Sequence, residues 1–119
     1  MYILSIDVGW KHLAYCIMHK KEILEWEIIN LCEEEVNINS LSIENLIENC
    51  KKGIEKFVND KLKQLKNFNE NCIVFIESQP MGPFTKNIKT KILSHLLQYL
   101  FSIQNIEIKF ISSKKNYLF

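Results

Sequence analysis

The sequence of 119 residues predicts an α/β fold in which two helices pack on a five-stranded mixed sheet, in the order βββαβαβ. Three short segments rich in β-forming residues fill the first thirty positions, and tiny connections join them. Two later segments repeat apolar residues at helical spacing, and a strand-like run follows each of them. Because strand–helix–strand repeats favour parallel crossovers, we expect strands four and five to run parallel to strand one, with strands one to three antiparallel.

The first thirty residues predict an antiparallel meander. The opening apolar run ends at the turn residue Gly9, and the following segment combines small, aromatic and branched side chains. Lys20 and Lys21 form the predicted hairpin turn between the second and third strands. The three predicted strands cover residues 2–8, 12–19 and 22–30.

The remainder of the chain predicts two helices and two further strands. A long helix begins at about Ser42, which is suited to the N-cap, and Glu44 lies near the positive end of the helix. A second helix is expected over residues 87–102. The remaining strands are expected over residues 72–76, a continuous apolar run, and 106–111.

Composition limits the function classes that fit. No apolar run reaches ~18 residues, so no membrane-spanning helix is expected. The N-terminus has no signal-peptide pattern, and none of the four cysteines forms a C-x-x-C pair, which argues against a zinc site and against a disulfide framework. We therefore expect one domain, residues 1–119, in a reducing intracellular compartment.

The charges are unevenly distributed along the chain. All 15 basic residues are lysines. Residues 1–60 contain six lysines and eleven acids, whereas residues 61–119 contain nine lysines and three acids. A basic half favours a polyanion through counterion release, or it forms a solvated lysine surface.

Two acids stand at matched strand ends. Asp7 closes the first predicted strand before Gly9, and Glu77 closes the fourth before Pro80. If these strands are neighbours, both carboxylates lie at the sheet edge where open α/β sheets bind ligands. Close carboxylates repel each other, and Mg²⁺, which accepts one or two carboxylates plus a phosphate, relieves that repulsion. The alternative is that each acid caps a local turn.

The residues around both acids resemble one protein family. Residues 3–15 (ILSIDVGWKHLAY) and 74–80 (VFIESQP), followed by Asn87 and Lys89, are similar to the poxvirus and fungal mitochondrial Holliday junction resolvases. These proteins form part of the RuvC-like branch of the ribonuclease H-like superfamily. The resemblance covers nearly the whole chain and implies a ribonuclease H-like fold.

This resemblance also implies a chemistry. Asp7 and Glu77 are then catalytic ligands of Mg²⁺, or of Mn²⁺, in an endonuclease whose metal-activated water hydrolyses branched DNA such as a four-way junction. Recombination, repair and resolution of replication intermediates are the implied processes. A homodimer is the implied assembly, and a virus-infected cytoplasm, a mitochondrion or a nucleus is the implied location.

The resemblance is incomplete at the C-terminus. The family carries two further acids on a last helix, and this sequence has no counterpart of them. We therefore expect an incomplete domain that lacks the last catalytic helix, leaves an apolar face of the sheet uncovered, and cleaves DNA poorly.

Six further residues are candidates for nucleic-acid contacts. Each has a plainer alternative: packing for the tryptophan, a turn for the glutamine, and an exposed surface for the lysines. The candidates are Trp10, Lys11, Gln79, Lys86, Lys89 and Lys91.

Two other functions compete with the nuclease. The chain could be a remnant that keeps the fold for nucleic-acid binding or dimerisation without catalysis. An actin-like ATPase or sugar-kinase fragment also opens with an apolar–Asp–x–Gly strand, but three glycines leave little material for its phosphate loops.

Four aromatic residues are expected to pack in the core: Trp26, Phe75, Tyr99 and Phe101.

Overall fold

The computed structural model describes residues 1–78 and 88–112. The predicted order βββαβαβ is confirmed, with element ends that differ by one or two residues. A short 3₁₀ helix, Ile38–Ser40, lies in the connection after the third strand. The strands and helices are β1 (Tyr2–Asp7), β2 (Leu13–His19), β3 (Glu22–Ile29), α1 (Ile43–Asn67), β4 (Cys72–Ser78), α2 (Ile88–Ser102) and β5 (Glu107–Ser112).

The five strands form one sheet in the order β3-β2-β1-β4-β5. β1 pairs antiparallel with β2, and β2 with β3. β1 pairs parallel with β4, and β4 with β5. This is the pairing expected from the sequence, with β1 and β4 side by side in the centre of the sheet.

Both helices pack on the same face of the sheet. Alternate residues of the strands, among them Leu4 and Ile6 of β1 and Val74 of β4, are buried there with the apolar sides of the helices. The helix residues that close this core are Leu46, Cys50, Ile54, Phe57, Val58, Leu62 and Leu65 of α1, and Leu93, Leu97 and Phe101 of α2.

The opposite face, which we call the open face, carries no helix of the described residues. Its strand positions follow from the register and include Ser5, Asp7, Ala14, Cys16, Trp26, Ile28, Phe75, Glu77 and Ile111. Two large apolar side chains of the edge strand are solvent-exposed there, Trp26 at 72% and Ile28 at 66%. An uncovered apolar face therefore exists in the described part of the chain.

Two aromatic residues that were expected in the core, Trp26 and Tyr99, lie on the surface instead. Phe101 is fully buried, as expected, but Trp26 is exposed on β3 and Tyr99 is exposed on α2. Trp26 is displaced by a register shift in the β2–β3 pairing between Ile17 and Met18, which leaves one extra residue on β3. A one-residue shift exchanges the two faces of a strand, so Trp26 pairs with Cys16 on the open face.

Local signals fix the ends of the hairpin and of α1. Lys20 and Lys21 both have positive φ, at 50° and 68°, the backbone of a tight hairpin turn. Ser42 is the N-cap of α1, and its side chain accepts a hydrogen bond from the backbone N–H of Asn45. Neither α1 nor α2, the helices of the described residues, is long and apolar enough to cross a lipid bilayer.

A glycine allows the chain after β3 to press against α1. A Cβ atom added at Gly53 would lie 2.2 Å from the backbone oxygen of Leu31, closer than such atoms can approach. Beside it, the backbone N–H of Glu33 donates to the side-chain oxygen of Asn49 at 3.0 Å. Residues 31–33 are therefore held directly against the helix.

A buried lysine connects α1 to the edge of the sheet. Lys61 is only 6% exposed, and its ammonium donates to Glu25 at 2.6 Å, to the Tyr15 hydroxyl at 2.8 Å and to Gln64 at 2.9 Å. It also lies 4.1 Å from the centre of the Tyr15 ring. Burial is the largest single influence on the pKa of Glu25 and raises it, but the hydrogen bonds from Lys61, Tyr15 and Gln64 and the charge of Lys61 together outweigh burial, so this pKa lies below its ordinary value.

We expect Gly53→Ala to destabilise the protein by about 1–3 kcal/mol, because the added methyl group overlaps the Leu31 carbonyl. Alanine is otherwise the better helix former, so helix propensity alone predicts the opposite sign. Chemical denaturation measures the difference. Asn59→Ala, at an exposed position of the same helix, is the control and should be neutral or stabilising. A stabilised G53A variant would contradict the close contact.

We expect the stability to fall in acid as Glu25 is protonated. Because the folded pKa lies below the unfolded value of about 4.5, the unfolded chain binds the proton at higher pH. The contribution is therefore complete above pH 4.5 and is lost as the pH falls through the folded pKa. Thermal unfolding between pH 3 and 7 tests this.

Glu25→Gln should lower the stability at pH 7 by about 1–3 kcal/mol, since Lys61 keeps its burial but loses a charged acceptor. It should also flatten the decrease in acid. Glu55→Gln, on the exposed side of α1, is the matched control and should keep the wild-type pH profile. An E25Q variant with an unchanged profile would show that this ion pair does not drive the acid sensitivity.

Candidate active site

The end of β1 places Asp7 on the open face. Leu4 and Ile6 alternate with it and are buried on the opposite face, so the next position points away from the core. The chain then turns tightly, because a Cβ atom at Gly9 would lie 2.5 Å from the backbone oxygen of His12. Val8 is buried and anchors the start of this turn.

The end of β4 places Glu77 beside it. β1 and β4 are hydrogen-bonded neighbours whose register aligns Ser5 with Phe75 and Ile6 with Ile76. One further step along both strands brings Asp7 and Glu77 to equivalent positions on the open face, on strands that lie ~4.8 Å apart. The expected juxtaposition of the two strand ends is therefore present.

Both carboxylates line one open cleft of about 410 Å³. Asp7 is exposed and forms no ion pair with the described residues. The lining is otherwise mostly apolar and contains no lysine among the described residues. Its other members are Ser5, Ile6, Ala14, Tyr15, Cys16, Ile23, Trp26 and Ile111.

This donor set fits a hard divalent cation that keeps most of its water. Two carboxylates are what Mg²⁺ takes from a protein when a substrate phosphate and water supply the other oxygens. Within residues 1–78 and 88–112, no three His, Cys, Asp or Glu side chains come together as a metal-binding group. The described residues thus offer a pair of acids and not a closed metal cage.

The expected exposure of Trp10 to nucleic acid was wrong. Trp10 is 3% exposed, and its indole N–H donates to the backbone oxygen of Lys89 at 3.1 Å. The tryptophan packs in the core beneath the turn after β1. It therefore joins that turn to the start of α2, which is the packing alternative.

Lys89 is also occupied within the protein. Its ammonium donates to the backbone oxygens of Ile38 at 2.7 Å and Leu41 at 2.6 Å, with Asn39 at 3.4 Å. These carbonyls belong to the 3₁₀ turn and the residue that follows it. These carbonyls would be left without a hydrogen-bond donor if the ammonium moved away. Lys89 is therefore a structural lysine, and its assignment to DNA was wrong.

The other candidate lysines differ in their surroundings. Lys11 forms a 2.9 Å ion pair with Glu35, whose side chain is 87% exposed, so this is a weak surface pair that a phosphate can replace. Lys91 is half-buried on the first turns of α2. Gln79 and Lys86 lie outside the described residues.

Sequence reasoning missed the wall of the cleft opposite the acids. Trp26 and Cys16 pair across β2 and β3 and line the same cleft as Asp7. The sequence does predict that Ser5 lines the cleft together with Asp7, because residues two apart on a strand share a face. The position of Trp26 depends on the shift in the hairpin register, for which the sequence carries no clear signal.

Similarity to known proteins is found in the fold and not in the sequence. The sequence matches no protein-family model and no curated protein. Among solved structures, the fold is similar to Thermus thermophilus RuvC in complex with a Holliday junction substrate, with a TM-score of 0.64 and 13% identity. A second T. thermophilus RuvC structure gives a TM-score of 0.59 and 14% identity.

These matches cover almost all of this chain but only part of RuvC. The alignments include 96% and 94% of this chain, and 66% and 64% of the two RuvC chains. The chain thus spans just under two thirds of the length of these structures. At such low identity the likeness concerns the backbone alone, and it shows that this chain has the ribonuclease H-like fold that RuvC has.

Proposed function

We propose that this chain is a nuclease domain that hydrolyses phosphodiesters of branched DNA with the help of a divalent metal. The observation that carries the proposal is the pair Asp7 and Glu77, which lies on neighbouring parallel strands, on one face and in one cleft. The structural likeness to a RuvC solved with a Holliday junction substrate supports the choice of DNA as the substrate.

Asp7 and Glu77 are the residues that would hold Mg²⁺ or Mn²⁺. When bound, such a metal supplies Lewis-acid stabilisation of the phosphate and lowers the pKa of a coordinated water. The two carboxylates would bind the metal and hold it in one orientation, because the β1–β4 ladder fixes their backbones. The tight turn at Gly9 and the buried side chain of Trp10 keep the end of β1 rigid.

Phosphate contacts outside the cleft fall to half-buried lysines. Lys11 is four residues beyond the end of β1, and its ion pair with the exposed Glu35 can be exchanged for a phosphate. Lys91 is the second described candidate, and Gln79 and Lys86 remain predictions. Since lysines make point contacts without the bidentate geometry of arginine, we expect weak, salt-sensitive binding.

The proposal extends to the biological setting. A four-way junction has approximate two-fold symmetry, so a homodimer suits it. The resemblance of the sequence motifs supports a role in recombination, repair and resolution of replication intermediates inside the cell. It also supports a viral, mitochondrial or nuclear setting.

A second candidate function is a binding or dimerisation module without catalysis. Two observations favour it: the described residues contain a pair of acids and no larger metal-binding cluster, and Trp26 and Ile28 expose apolar surface on the open face. Apolar surface of this kind is typical of a protein contact.

Metal titration and junction cleavage together test the proposal. We expect Asp7→Asn and Glu77→Gln each to lower the Mg²⁺ or Mn²⁺ affinity, measured by calorimetry, by more than about tenfold, because each removes one of two protein ligands. Cleavage of a synthetic four-way junction should be slow, should need the metal, and should be lost in both variants.

Asp60→Asn is the matched control, because Asp60 is an exposed carboxylate on α1 paired only with Lys56 among the described residues. It should keep the wild-type metal affinity. Cleavage that neither D7N nor E77Q changes would overturn the proposal. Metal and junction binding without any cleavage would favour the non-catalytic module.

A further inference from the structure

Two cysteines lie in contact beneath the connection between β3 and α1. The sulfur atoms of Cys32 and Cys50 are 3.1 Å apart, and the Cys50 thiol donates a hydrogen bond to Cys32. Both are free thiols. Cys50 is fully buried on α1, and Cys32 is half-buried in the segment that follows β3.

The backbone holds both cysteines in place. The backbone N–H of Cys32 donates to the side-chain oxygen of Asn30 at 2.9 Å. On either side, Leu31 contacts α1 at Gly53 and Glu33 bonds to Asn49, the residue before Cys50. The segment is therefore held against the helix on both sides of the sulfur pair.

We propose that Cys32 and Cys50 form a site of reversible oxidation, where a peroxide converts the thiol pair into an intramolecular disulfide. A disulfide needs a sulfur–sulfur distance of ~2.05 Å, so the two atoms must approach by only about 1 Å. The pair would link residues 18 positions apart in the chain, which closes a loop that also contains the 3₁₀ turn.

The reaction balances with hydrogen peroxide as the oxidant. The Cys32 thiolate attacks one peroxide oxygen, the O–O bond breaks, and Cys32 becomes a sulfenic acid while hydroxide leaves. The Cys50 sulfur then attacks the Cys32 sulfur, the S–O bond breaks, and the second hydroxide takes the Cys50 proton. Two thiols and one peroxide give one disulfide and two waters, and two electrons pass from sulfur to oxygen.

The surroundings assign the two sulfurs different roles. Cys32 accepts the hydrogen bond and is the more exposed of the two, so it is the sulfur that meets the peroxide. Burial, followed by the contact with Cys32, raises the pKa of the Cys50 thiol to about 12. Cys50 therefore stays protonated until the second step, and disulfide formation should accelerate as the pH rises.

Oxidation at this site reaches the turn that follows Asp7. The Cys32 thiol donates to the backbone oxygen of Trp10 at 3.7 Å, and the Leu31 backbone N–H donates to the same oxygen at 3.0 Å. A disulfide removes the first of these bonds and keeps the second. The site thus couples the oxidation state to the packing beneath the candidate active site, but it does not depend on the nuclease proposal.

The test uses the full chain with Cys16→Ser and Cys72→Ser, which leaves only the proposed pair. After hydrogen peroxide treatment, we expect loss of both free thiols and a mass lower by two hydrogens, both reversed by dithiothreitol. The oxidised protein should gain roughly 5 °C or more in Tm, because closing this loop restricts the unfolded chain. Adding Cys32→Ser should prevent the mass change.

If the double variant does not fold, peptide mapping of the oxidised wild-type chain gives the same answer. A peptide pair joining residues 32 and 50 supports the site. Oxidation that only adds oxygen to Cys32, or that joins Cys16 or Cys72, overturns it. Cross-linked dimers in place of the intramolecular bond also overturn it.

Discussion

The parallel pairing of β1 with β4 is the constraint on which the rest of this structure depends. Five consecutive register pairs, from Tyr2 opposite Cys72 to Ile6 opposite Ile76, join strands that α1 separates along the chain. Both strands are central, so their ends lie at one edge of the sheet with Asp7 and Glu77 on the same face. A slip of one residue in either strand would move one carboxylate to the helix-bearing face and destroy the cleft.

α1 maintains this pairing from the other face of the sheet. The helix spans 25 residues and is held at three levels: by the Ser42 N-cap, by the close approach of Leu31 at Gly53, and by the buried ammonium of Lys61. The last of these is costly to build, because a buried charge needs several partners. It works here because the edge strand β3 supplies Glu25 to the same site. The helix is thus connected to β3 and to the segment that follows it.

The sequence predicted the elements, their order and the sheet pairing, because each depends on local apolar spacing and on the short connections of a meander. It also predicted the two strand-end acids. It did not predict the places of Trp26, Trp10 and Lys89. The first depends on a single extra residue in the β3 pairing, and the other two depend on contacts between segments about fifty to eighty residues apart. Neither the extra residue nor the long-range hydrogen bonds leave a periodic pattern in the sequence.

The two faces of the sheet therefore have separate physical roles. On the helix-bearing face, the contacts at Gly53, Lys61 and Lys89 are buried or half-buried, so substitutions there change the stability of the whole domain. On the open face, Asp7 is exposed, so its substitution removes a ligand and little packing. Cys32 links the helix to the turn beside the cleft, because it contacts Cys50 of α1 and also bonds to the turn after β1. A chemical change at Cys32 can for this reason reach the cleft through the backbone of the turn after β1.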